Sequence, residues 1–173
     1  AVTTVNLAFL AVLGREGIVP HVSAGHSLGE YSALCAAGIV SPDNALRLVF
    51  KRGELMHREA TRHHGAMSAI IGLPIETVRD LVAQVTDGIV AVANHNAEKQ
   101  IVITGSPEPV KKVSALAAAE GAKAIPLKVS GAWHSRLIQG AEAEFREFLG
   151  SVAFHPPTSG VIQQGIREIA WVS

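Results

Sequence analysis

The run Gly25-His26-Ser27-Leu28-Gly29 has the spacing G-x-S-x-G. This is the spacing of a nucleophile elbow, in which a strand turns sharply into a helix and lifts a serine hydroxyl clear. So tight a turn predicts that a side chain at either glycine would collide with neighbouring backbone. The flanks agree with the motif. Upstream, Ile18-Val19-Pro20 and His21-Val22-Ser23-Ala24 form a short, mostly small or apolar run that predicts a buried strand. Downstream, Tyr31, Leu34, Cys35, Ala36 and Ala37 continue as a helix of small residues that Gly38 stops. The same spacing also arises as a tight turn around a buried serine. Strand, turn and helix in succession favour the nucleophile.

Outward from the elbow, residues 1 to about 17 predict a helix, largely apolar at Val5, Leu7, Ala8, Leu10, Ala11 and Leu13 and ended by Gly14 or Gly17. Ser41-Pro42-Asp43 is a helix start: a serine cap, proline in the first position, an acid in the first turn. That helix runs toward residue 60 and carries Arg47, Lys51, Arg52 and Arg58 away from its apolar side. The pattern then changes. A strand over 65–72, an amphipathic helix over 74–85, strands over 89–93 and 100–105 joined by a polar turn, a helix over 107–119 and a strand over 122–129 follow in order. The sequence β-α-β-β-α-β is the ferredoxin-like split arrangement. It predicts a small subdomain over 63–128 inserted between residues 1–62 and 129–173. A loop at Ser130-Gly131-Ala132-Trp133-His134-Ser135 then opens one helix over 135–150.

Composition excludes whole classes of function. A 48% apolar content in 173 residues suffices for a core in one or two domains. Fifteen basic residues balance fifteen acidic ones, which leaves no electrostatic footprint for nucleic acid or an acidic membrane surface. The single cysteine, Cys35, has no internal disulfide partner and fits a reducing, cytoplasmic compartment. No apolar run reaches membrane-spanning length, and the N-terminus lacks a signal-peptide pattern. The chain opens inside an apolar stretch, as a piece of something longer would.

A serine hydroxyl needs a base to take its proton, and histidine titrates near neutrality. Of the eight histidines, His63 and His64 are adjacent in a polar loop, His95 falls in the predicted hairpin turn, and His21, His57 and His155 have no partner pattern. No H-x-x-x-H or C-x-x-C occurs, so no metal is expected. His134 differs, lying at a strand-to-helix junction among small residues and one aromatic; a lone histidine there also reads as a packing residue. The oxyanion needs backbone donors, one of them the N–H after the serine, that of Leu28. Between Gly88 and Trp133 there is no aspartate, and Glu98, Glu108 and Glu120 fall in predicted turn or helix-surface positions. A Ser-His dyad therefore fits better than a triad.

Gly25-His26-Ser27-Leu28-Gly29-Glu30-Tyr31-Ser32-Ala33-Leu34 with Ala36-Ala37-Gly38 resembles the malonyl-CoA:acyl carrier protein transacylase family, which includes the acyltransferase domains of fatty-acid and polyketide synthases. Ala45-Leu46-Arg47-Leu48-Val49 with Lys51-Arg52-Gly53-Glu54-Leu55-Met56, then Gly65-Ala66-Met67, Gln100 to Gly105 and Val129 to Ser135, are similar in the same order. The resemblance implies an α/β fold: an α/β-hydrolase-like large subdomain with the ferredoxin-like insert. It implies a malonyl-Ser27 intermediate, His134 as base and then acid, and Arg52 as the partner of the malonyl carboxylate. It also implies His26 beside the pocket and Trp133 as an acyl-unit selector favouring malonyl over methylmalonyl. The implied partners are malonyl-CoA and an acyl carrier protein, in a monomer or one domain of a synthase. No cofactor is expected. A serine hydrolase or thioesterase on a similar fold is the alternative, as is an inactive fragment of the transacylase. The family's Gly-Gln-Gly-Ser-Gln-type loop, with its second oxyanion donor, has no counterpart here. The run Gln163-Gln164-Gly165-Ile166-Arg167-Glu168-Ile169 resembles the stretch before a later Gly-Pro-Gly turn. Segments are therefore expected to be missing at the start and near Gln163, together with the histidine's supporting carbonyl.

Overall fold

The structure is a computed structural model that describes residues 1–162; the expected break at Gln163 lies outside the described residues. The elements run α1 (Val2–Arg15), β1 (Val22–Ala24), α2 (Gly29–Ala36), α3 (Pro42–Arg62), β2 (Ala66–Ile71), α4 (Ile75–Ala83), β3 (Val90–Ala97), β4 (Gln100–Gly105), α5 (Pro107–Ala119), β5 (Lys123–Pro126), a 3-10 segment (Arg136–Ala141), α6 (Glu142–Gly150) and β6 (Gly160–Ile162). The chain divides into two compact units: Ala1–Gly53 with the residues from Glu144 onward, and Glu54–Ala143. The second unit thus takes in the last turns of α3 and the 3-10 segment as well as residues 63–128.

In the first unit, β1 and β6 pair in parallel, Val22 opposite Gly160 and Ala24 opposite Ile162. The expected strand over 18–24 shortens to three residues, because Pro20 has no N–H for a ladder. It is not a buried strand either. Ile18 and Val19 are exposed, and only Ser23 of β1 is buried. α2 ends as predicted. Gly38 has φ +73° and donates its N–H to the Cys35 carbonyl, while the Ile39 N–H reaches Leu34. That pair of bonds satisfies carbonyls a helix end would otherwise leave open. The Ser41 hydroxyl accepts from the Asn44 N–H at 3.2 Å and caps α3. Cys35, Val40, Ala45, Leu48 and Val152 form the core, with Leu7 and Leu10 of α1 and Phe145 and Phe148 of α6 against it. Truncating fully buried Leu48 to alanine costs about 2–5 kcal/mol on the usual scale. The outer side of α1 leaves Val5, Phe9 and Val12 exposed.

In the second unit the strand order is β3-β4-β2-β5, all antiparallel. One face of the sheet packs Ile70, Ile101 and Ile103 against Val78 and Leu81 of α4 and Val110 and Val113 of α5. Alternation along the strands turns Met67, Ala69 and Val102 to the other face, where Ile125, Leu127 and Trp133 cover them. Two expectations are corrected here. β3 runs on to Ala97 through two register irregularities, so His95 pairs opposite Ile101 and is not in the turn. Bulges let a strand absorb polar residues that otherwise read as loop. The helix expected over 135–150 is a 3-10 segment followed by α6. At Gly140 a Cβ would fall 2.4 Å from Glu59 Oε2, so the backbone there runs against a buried carboxylate. Among the described residues no helix is long and apolar enough to cross a membrane.

Candidate active site

Ser27 takes φ +52°, left-handed for a side chain that is not glycine. Such a conformation costs about 1–2 kcal/mol and persists only where its surroundings enforce it. The elbow supplies the enforcement. The Gly29 N–H donates to the His26 carbonyl at 2.9 Å, and the Glu30 N–H to the Ser27 carbonyl at 3.3 Å. A Cβ on Gly25 would lie 2.1 Å from the Gly29 carbonyl carbon and oxygen, so that glycine is obligatory. Gly29 is not. A Cβ there would meet nothing within 4 Å, which corrects the expectation for the second glycine of the motif. Leu28 is the N-cap of α2, with φ −60° and ψ −32°, where helical N–H groups lack intrahelical acceptors.

Arg52, on α3, donates from Nη2 to the Ser27 hydroxyl oxygen at 2.9 Å. The guanidinium carbon lies 6.0 Å from the centroid of the Tyr31 ring, at the outer reach of a cation-to-ring-face attraction. Glu30 stands in the same surroundings. Burial pushes its carboxyl above the usual range, and the Arg52 charge works against that rise. The Tyr31 hydroxyl is likewise pushed up, by burial first, with Arg52 opposing and Glu30 adding to it. On sequence alone Arg52 reads as a solvated helix residue. Its half-buried place at the serine shows otherwise. Glu30 and Tyr31 were not singled out as site residues, although both directly follow the elbow, where a helix's first turn must pass close to the nucleophile.

His26 is exposed and lines an apolar groove of about 500 Å³ with Phe9, Leu10, Leu13, Ile18 and Ser32; Ser27 is not among the lining residues.

In the second unit, His134 is exposed, with φ +62°. Next to it, half-buried Trp133 packs its ring on the Met67, Ala69 and Val102 face of the sheet. The residue on its other side, Ser135, donates its hydroxyl to the Ala132 carbonyl at 2.7 Å and accepts from the Leu137 N–H at 3.2 Å. Sequence reading passed over Ser135. Its signal was a serine just ahead of a helical turn, the usual place for a cap. Ser27, Arg52 and His26 thus belong to the first unit, and His134 and Trp133 to the second.

A strand-turn-helix elbow that holds a serine on a left-handed bend is the arrangement of serine-nucleophile enzymes. The profile of the acyl transferase domain family matches residues 1–168, and the chain belongs to that family. It is 44% identical over 152 residues to the malonyl CoA-acyl carrier protein transacylase of Bacillus subtilis strain 168, covering 86% of this chain and 48% of that protein. The corresponding Escherichia coli K12 transacylase is 38% identical over 165 residues, covering 94% of this chain and 53% of its own length. Among solved structures, FabD of Acinetobacter baumannii superposes with a TM-score of 0.90 at 41% identity, over 97% of this chain and 55% of that one. A malonyl-transacylase solved in complex with a type II polyketide acyl-carrier protein also gives 0.90, at 36% identity and over 96% and 55% of the two chains. The chain spans about half the length of the relatives it matches.

Proposed function

We propose that this chain carries the nucleophile and the carboxylate anchor of a malonyl-CoA:acyl carrier protein transacylase. The observation that carries the reading is the 2.9 Å hydrogen bond from Arg52 to the Ser27 hydroxyl. A guanidinium so close to the nucleophile reaches the acyl group that the serine will hold. Its flat fork of donors suits a carboxylate through two parallel hydrogen bonds, which an ammonium cannot match.

Transfer proceeds in two balanced halves. His134 takes the Ser27 proton as the oxygen attacks the thioester carbonyl of malonyl-CoA. The C–S bond then breaks, and the departing coenzyme A sulfur receives that proton. A malonyl ester on Ser27 remains. In the second half His134 takes the proton of the carrier protein's phosphopantetheine thiol, whose sulfur attacks the ester. The C–O bond breaks and Ser27 recovers its proton. The Leu28 N–H contributes to holding the oxyanion of both halves. Support for the His134 role is the match of its segment to the family, and support for the carrier protein is the partner named in a neighbouring complex. No cofactor takes part in this scheme.

Mass spectrometry of the natural-length protein after incubation with malonyl-CoA tests the reading. An adduct of malonyl mass is expected on Ser27. It should be absent from Ser27→Ala and weakened in Arg52→Ala. No adduct on the wild type sinks the reading, and free malonate outrunning transfer would favour a thioesterase.

A further inference from the structure

We propose that Ser135 is a positioning residue for His134, its hydroxyl pinning the left-handed bend that aims the imidazole. This rests on the acyl-transfer reading of His134.

Three observations within the second unit converge on it. His134 is exposed and has φ +62°, a conformation that backbone preference alone does not hold. The hydroxyl of Ser135 spans the bend. It donates to Ala132, two residues before the histidine, and accepts from Leu137, three residues after it. A hydroxyl has a single proton to give. With that proton committed to Ala132, Ser135 acts as a brace and not as a second nucleophile. The upstream end of the brace is itself closely packed. Ala132 is fully buried, and a Cβ placed on Gly65 would fall 2.5 Å from the Ala132 nitrogen. Ring packing of Trp133 on the sheet fixes the residue between. The Ser135 hydroxyl ties the His134–Leu137 stretch to that end, alongside the Ile138 N–H bond to the Ser135 carbonyl at 3.3 Å.

Removing the brace lets the bend relax, and small misplacements of a catalytic base are felt in the chemical step more than in binding. The test compares Ser135→Ala, Ser135→Thr and Ser135→Cys with wild type in the natural-length protein, timing malonyl-Ser27 formation by quenched-flow mass spectrometry over a range of malonyl-CoA. Ser135→Ala is expected to slow acylation about tenfold with the half-saturating concentration changed less than about twofold. Threonine, which keeps the hydroxyl, should restore the rate to within about threefold, and cysteine, a weak donor, should fall between. Should the alanine variant fail to fold, the threonine and cysteine pair carries the comparison. Equal rates in all four proteins overturn the proposal, as does a loss that appears only in half-saturation. No adduct even on the wild type overturns the acyl-transfer reading and takes this inference with it; a wild-type adduct with an indifferent Ser135→Ala overturns this inference alone.

Discussion

Arg52 Nη2 donates to the Ser27 hydroxyl oxygen at 2.9 Å, joining the middle of α3 to the turn that opens α2. One residue has two tasks open to it. In the resting protein it hydrogen-bonds the hydroxyl; on the proposed reading, with an acyl group on Ser27 it would grip that group's free carboxylate. The second task predicts a split between substrates. Hydrogen bonds to a charged group are worth about 1.5–3 kcal/mol, so Arg52→Ala should lower kcat/KM for malonyl-CoA about 10- to 100-fold. Acetyl-CoA, which lacks the carboxylate, should lose far less. Arg52→Lys should recover only part of the loss, because a point charge replaces a fork. Equal losses on both thioesters would leave Arg52 no role in choosing the acyl group.

The elbow makes a second, purely structural prediction. Gly25→Ala drives a methyl group to 2.1 Å from the Gly29 carbonyl, which nothing flexible can relieve. The cost should be about 3 kcal/mol or more, in the range that overpacking reaches, read as a lower urea midpoint. Gly29→Ala should be neutral or mildly stabilising, by up to about 1 kcal/mol, since it opens a helix and meets open space. Comparable losses at the two positions would contradict the geometry.

These two glycines mark what was legible in the sequence and what was not. G-x-S-x-G located the turn and its serine, yet a pattern gives both glycines equal weight, and only atoms at known distances separate them. The β-α-β-β-α-β succession of the second unit was legible because its strands and helices carry distinct apolar patterns, whereas the irregular end of β3 was not. β1 was overread: Ile18 and Val19 are apolar, but Pro20 keeps them off the ladder and they stay exposed. Arg52 was legible only through resemblance, since a lone cation on a helix has no periodic signature of its target. Ser135 and Glu30 escaped because hydrogen bonds and burial are not encoded in spacing.

Glu30 gives a prediction in pH. Its folded carboxyl is raised by burial, with Arg52 opposing. Below the ordinary carboxylate range both folded and unfolded states carry the proton, and Glu30 adds no pH dependence. As pH rises past that range the unfolded chain releases its proton first, so it binds fewer protons and stability falls. The loss is complete once the folded group has titrated. Glu30→Gln should therefore gain stability relative to wild type between about pH 4 and neutrality, measured as the difference in thermal midpoint. A difference that shrinks over that interval would mean that Arg52, not burial, governs the carboxyl.

Cys35 is a free thiol in the core of the first unit, packed with Val40 and Leu48, and burial pushes its pKa up. Thiolate is the reactive form, so a raised pKa and an enclosed sulfur both slow attack on disulfide reagents. At pH 7 labelling by an aromatic disulfide should be slow and should accelerate about 100-fold or more in denaturing urea, because access then needs only an open chain. Rapid labelling of the folded protein would show that α2 opens locally without global unfolding.

Trp133 carries the last prediction, since its ring serves the sheet face while the resemblance also gives it an acyl-selecting role. Its packing on Met67, Ala69 and Val102 means Trp133→Ser removes a large apolar contact from the second unit. A half-buried ring should cost about 1–3 kcal/mol, less than the 3–5 of a buried tryptophan, seen as a lower thermal midpoint. Selection is a separate readout: one methyl group in a pocket is worth about 1–3 kcal/mol, so a selecting ring should change the malonyl-to-methylmalonyl ratio at least about tenfold on removal. A lowered midpoint with an unmoved ratio would assign the ring to the sheet alone. A moved ratio with an unchanged midpoint would mean the sheet contact contributes nothing to folding.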